Sequence, residues 1–199
     1  MKAGAVRRAA SGQENPVRVE IPPAHHANPA AFVGQTYAKD IVATAFQFSA
    51  TTYERSKLSL REFEGARART AEINGCLICQ GWRSARDVAP YLTHFGADPS
   101  RSVATRGPAP DEAFYANVSK WRDSPLYSPR ERIAIEYAER IGLEPKGIAK
   151  DDAFWTRAKA VFSDDEIVDL TFCVACWIGL GRAVHVLGLD GACAFNKAA

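Results

Sequence analysis

The sequence predicts an all-α protein, and three observations carry that prediction. Ser59 with Glu62, Ser128 with Glu131 and Ser163 with Glu166 each have capping-box spacing, in which the serine oxygen accepts a backbone N–H three residues on and the glutamate reaches back. Apolar residues recur at spacings of three to five, as at Phe32, Tyr37, Ile41, Ala45 and Phe48. No segment reads as a sheet, and breaks rich in Gly and Pro, such as "FGADPSRSVATRGPAPDE", "RDSPLYSP" and "GLEPKGIAKDD", separate the helical runs.

Taken in order, residues 1–29 are rich in Ala, Gly, Pro and charge and end in the proline-broken "IPPAHHANP", which predicts an N-terminal arm, extended or poorly ordered. Residues 30–199 then form a single helical domain, since 199 residues with 47% hydrophobic and 24% charged content supply one sizeable core. A first helix starts near Ala30. A second runs from Ser59 to about Asn74, where Gly75 suits the left-handed cap. Cys76 opens a third, expected to continue through Trp82, Val88 and Tyr91 to Gly96. Ser128, with Pro129 at the favoured first position, and Ser163 start two more.

Charge excludes some partners. The 25 basic and 23 acidic residues are mixed along the chain, so no basic stripe is present to neutralise a nucleic-acid backbone. The N-terminus lacks the apolar stretch of a secretory signal, and the run from Phe172 to Leu180 is too short to cross a bilayer, so neither secretion nor a membrane role is expected and the location is read as cytoplasmic. In a reducing compartment an odd set of five cysteines would not form a static framework, so any disulfide is expected to be catalytic or redox-sensing.

The segment "EINGCLICQGWRSARD" carries the chemistry. Cys76 and Cys79 stand one turn apart at a helix start, where free N–H groups stabilise a thiolate. Three readings compete: a redox-active dithiol, which placement and spacing favour; half of a zinc site, for which "CVAC" at Cys173 and Cys176 lies too far away inside an apolar helix; and a pair of small core residues. Cys173 and Cys176 are read as inert core thiols. Trp82, Trp121, Trp155 and Trp177 are read as core or interface residues and His185 as an ordinary buried histidine, while Arg182 is expected to pair with an acidic neighbour.

Glu64 followed by "GARARTAEINGCLIC", with "SPRERIAIEYAERI" and the apolar C-terminal helix, resembles the carboxymuconolactone decarboxylase and alkylhydroperoxidase AhpD-like family, whose signature places a Glu twelve positions before the first cysteine of a CxxC. The resemblance covers most of residues 30–190. It implies an AhpD-like helical bundle assembling as a trimer or hexamer, with neither metal nor organic cofactor. It further implies a peroxidase in which Cys79 attacks peroxide, Cys76 resolves and meets a dithiol reductant, and Glu64 starts a proton relay. Thiolate attack on an O–O bond yields a sulfenic acid that a neighbouring thiol condenses with.

The fuller family site has histidines where this chain has Ile78 and Arg83. If two antiparallel helices meet near Gly75, Glu64 lies about 15 Å down one and Arg83 about 10 Å down the other. A Glu64–Arg83 ion pair is therefore expected in place of a Glu-to-His relay, with Arg83 also favouring the Cys79 thiolate. Two other functions stay open: decarboxylation or isomerisation of a small lactone acid, using Arg83 or Arg182 with His185, and a non-catalytic redox-sensing oligomer.

Overall fold

The structure, a computed structural model, describes residues 15–191; the expectations placed on residues 1–14 and the terminal Cys193 lie outside them. Among the described residues the α-helices are α1 (Pro29–Thr36), α2 (Lys39–Arg55), α3 (Leu60–Asn74), α4 (Leu77–Gly81), α5 (Ser84–His94), α6 (Glu112–Ala116), α7 (Pro129–Leu143), α8 (Pro145–Ile148), α9 (Asp152–Lys159) and α10 (Asp164–Val186), with short 3-10 turns between some of them and no strand. The all-α expectation is met. All three capping boxes form, at the starts of α3, α7 and α10, and Gly75 takes the left-handed conformation (φ 70°) that ends α3.

Small residues make α3 the central helix. It packs mainly on α7 and α10, and an added Cβ at Gly65 would stand 2.9 Å from Ile135 Cγ1, so a side chain there would push α3 off α7. The core grows around this contact: Phe63 is fully buried with its ring edge-on to Trp177 at 4.7 Å and to Tyr53 at 5.2 Å. Burying a phenylalanine side chain contributes roughly 1.5–3 kcal/mol. A second cluster, with Phe114, Trp121, Tyr127 and Ile135, covers the other side of α3.

Two sequence expectations need correction here. The first helical run is two helices, broken at Ala38 (φ 44°), and its apolar face looks outward: Ile41 is 74% exposed and Phe48 41%. The helix opened by Cys76 also stops early, because Trp82 and Arg83 are both extended before α5 begins. This break frees the carbonyls of Cys79 and Trp82 to accept hydrogen bonds from the buried Arg67 guanidinium, at 2.6 and 2.9 Å.

A third concerns length. Helix α10 runs for 23 residues, long and apolar enough by composition to cross a bilayer, more than the short run read from the sequence. It packs instead against α2, α3 and α7, and begins with Asp164, Asp165 and Glu166 in its first turn. The described part of the N-terminal arm lies across its far end, where Arg18 N–H donates to Leu187 O at 3.0 Å.

Candidate functional site

The site is assembled where α3 ends and α4 begins. Gly75 turns the chain, Cys76 caps α4, and Cys76 Sγ accepts the N–H of Cys79 at 3.3 Å. The two cysteines are joined in a disulfide, with Cα atoms 5.3 Å apart. Cys76 is completely buried, whereas Cys79 is partly exposed. An incoming molecule therefore meets Cys79 first.

Beneath the dithiol lies Glu64, also fully buried. Its carboxylate accepts from Arg67 Nε (2.6 Å) and Nη2 (3.1 Å), from Ser84 Oγ (2.6 Å) and from Tyr115 Oη (2.5 Å). Burial alone would push the Glu64 pKa up, but the Arg67 charge and these hydrogen bonds override it and hold the carboxylate below its ordinary range. Burial likewise pulls Arg67 down, and the Glu64 charge holds it above its usual value. Burial and the same carboxylate raise Tyr115, which keeps its proton and donates. Arg67 is thus a clamp: one guanidinium binds Glu64 on α3 and two carbonyls at the end of α4.

The expected Glu64–Arg83 ion pair does not form. Arg83 instead pairs with Glu112 (2.9 and 2.8 Å), donates to the carbonyls of Gln80 and Trp82, and lies over the Tyr115 ring at 3.8 Å. The helix break before Ser84 turns Arg83 toward α6, and the Tyr115 hydroxyl occupies the position on Glu64. The i,i+3 spacing of Glu64 and Arg67 was the sequence signal for the real partner; Ser84 and Tyr115 reach the site only through tertiary packing.

Other candidates fall as follows. Cys173 and Cys176 are buried in α10; burial pushes the Cys176 thiol up to about 11 and raises Cys173 further, as an inert reading requires. Trp82 is buried and packs its ring on Tyr53 and Tyr91. Arg182 binds the Asn74 amide oxygen (3.0 Å) and Gly142 O (2.8 Å), not an acidic neighbour. No group of three His, Cys, Asp or Glu side chains suited to a metal ion occurs among the described residues. A surface hollow of about 810 Å³ is lined by Glu54, Arg55, Lys57, Ser100, Arg101, Thr105 and Arg106 and includes neither cysteine.

His185 was missed. Its Nδ1 is 2.9 Å from Asp190 Oδ2, the same oxygen that accepts the Leu77 N–H at 3.0 Å, and its ring lies against Gly75. The signal available in the sequence was the turn "HVLGLD", in which Gly188 (φ 67°) folds Asp190 back on His185.

No family model matches the chain. It is 39% identical over 89 residues to the uncharacterized protein YnjA of Escherichia coli, a match spanning 44% of this chain and 47% of that one. It is 33% identical over 72 residues to the uncharacterized protein Rv2313c of Mycobacterium tuberculosis, spanning 36% of this chain and 25% of the other. These matches therefore span about half or less of the relatives' length. Among solved structures it resembles ATU0492 of Agrobacterium tumefaciens, a protein of unknown function provisionally assigned to AhpD antioxidant defence, with a TM-score of 0.52, 22% identity, and 77% of this chain and 90% of that one covered. The resemblance read from Glu64 and the CxxC is thus supported by the architecture: the chain has an AhpD-like all-helical fold with its dithiol at the start of α4.

Proposed function

We propose that the protein is a thiol-dependent peroxidase that cycles through the Cys76–Cys79 disulfide. The observation that carries this reading is the asymmetry of the pair: a partly exposed Cys79 joined to a fully buried Cys76 at a helix start. Cys79 thiolate attacks the hydroperoxide, breaking the O–O bond; one oxygen stays as Cys79 sulfenic acid and the other leaves, protonated, as alcohol. Cys76 then displaces hydroxide, which leaves as water, and the disulfide forms. A dithiol reductant returns both thiols and is itself oxidised. Glu64 serves this cycle through Arg67 as the anchor of α4, and the CxxC needs no metal or organic cofactor.

The outward apolar residues Ile41 on α2 and Val168, Phe172 and Val186 on α10 support assembly as a trimer or hexamer. A cytoplasmic, reducing location fits a dithiol that must be regenerated. The test is consumption of hydrogen peroxide and an alkyl hydroperoxide with dithiothreitol as reductant. Turnover that vanishes in Cys79→Ser is expected. Equal inertness of both proteins would overturn the reading and return attention to lactone acids and redox sensing.

A further inference from the structure

Closing the disulfide requires Cys76 to give up a proton, and Cys76 is sealed from solvent. Glu64 is no acceptor, because its carboxylate is saturated by Arg67, Ser84 and Tyr115 and held ionised by them. The His185–Asp190 pair brackets Cys76 from both sides in the chain. The His185 ring lies on Gly75, where a Cβ would be 3.0 Å from Nε2, and Asp190 accepts the N–H of Leu77. Asp190 is 2% exposed while the His185 side chain is 33% exposed, so the imidazole joins the Gly75–Leu77 corner that holds Cys76 to water.

The partners assign the tautomer. Asp190 Oδ2 receives Nδ1–H at 2.9 Å, which leaves Nε2 with its lone pair as the basic nitrogen on the Gly75 side; Asn15 Nδ2, 3.2 Å from Nδ1 and 3.0 Å from Nε2, lies over the ring face and leaves that lone pair free. The groups facing this ring are Asp190 from the C-terminal turn, the uncharged Asn15 from the N-terminal segment, and the Gly75–Cys76 corner. Arg182, one turn back on α10, is committed to Asn74 and Gly142.

We propose that His185 is the proton-transfer residue of the dithiol, with Asp190 positioning it, in a role that no histidine inside the CxxC segment fills. His185 takes the Cys76 proton as the thiolate attacks Cys79 and returns it to the leaving group. This rests on the dithiol being redox-active, and it deepens the reading above by naming its base.

Closure can be measured without peroxide. The reduced chain is mixed with 5,5′-dithiobis(2-nitrobenzoate), which places thionitrobenzoate on Cys79; attack by Cys76 then releases it, and the absorbance of that release reports Cys76 deprotonation. His185→Gln is expected to slow the release about 100-fold at neutral pH, to approach the native rate in alkali where the thiol ionises unaided, and to be partly rescued by added imidazole. Asp190→Asn keeps an acceptor for Leu77 N–H, so it is a second variant that preserves the corner; it is expected to slow release less. A His185→Gln chain that closes at the native rate, or that is slowed equally at all pH without imidazole rescue, would overturn the proposal. Native closure through His185 without hydroperoxide turnover would instead overturn only the peroxidase reading.

Discussion

Arg67→Met tests the clamp beneath the dithiol. The Arg67 and Glu64 side chains are 3% and 0% exposed, and Arg67 makes four hydrogen bonds, two to Glu64 and one each to Cys79 O and Trp82 O. Removing the guanidinium leaves a buried carboxylate with only Ser84 and Tyr115, at a cost of about 3–5 kcal/mol. For a chain of 199 residues this lowers the midpoint by about 6–20 °C. The penalty depends on pH. Native Glu64, with its depressed pKa, contributes stability above its unfolded value that is lost as pH falls through its folded one. Without Arg67 burial raises the pKa, so the variant regains stability as Glu64 takes up a proton. Urea unfolding followed by circular dichroism should show a gap between native and variant that narrows from pH 7 to pH 5. In the double variant Glu64→Gln/Arg67→Met most of the loss should be recovered. A loss under about 1 kcal/mol at pH 7, or a gap independent of pH, would refute the reasoning.

Other outcomes follow from the same geometry. Below about pH 4.5 the native protein should lose stability as Glu64 and Glu139, both held below their ordinary range, become protonated; Glu64→Gln should flatten this acid limb in a pH-dependent melt. Gly75→Ala forces a left-handed alanine, costing about 1–2 kcal/mol, with a Cβ 3.0 Å from His185 Nε2; thermal melts should show the loss and disulfide closure should slow. Iodoacetamide at pH 8 should leave Cys173 and Cys176 unlabelled in the folded reduced chain and label both in urea, as peptide mass spectrometry would read. Glu112→Ala, which removes a surface partner of Arg83, should cost about 1 kcal/mol or less in urea unfolding and leave the dithiol chemistry intact.

Much of the fold was legible because its signals are local. A capping box needs four residues, and a left-handed glycine ends α3 on its own conformational freedom, so the starts of α3, α7 and α10 and the corner before Cys76 could be read directly. The breaks at Ala38 and Trp82 could not. Helix α4 ends on Gly81, a weak local signal in itself, and the partner of the carbonyls freed there is Arg67, which reaches back from the preceding helix for two of them. The site divided in the same way. Cys76, Cys79 and Glu64 stand in one continuous motif, but Glu64 found its cation within its own helix, and Arg83 was carried by the break toward Tyr115 and Glu112. His185 and Asp190 lie more than one hundred positions beyond Cys76, and only the packing of α10 on α3 brings them to its corner.

A single turnover tests the central claim most directly. The fully reduced chain, treated with one equivalent of an alkyl hydroperoxide, should lose two thiols and gain the Cys76–Cys79 disulfide in its peptide map, with one equivalent of alcohol formed and Cys173 and Cys176 untouched. In Cys76→Ser the same treatment should leave a sulfenic acid at Cys79 that dimedone traps. Hydroperoxide left intact beside two free thiols would contradict the account.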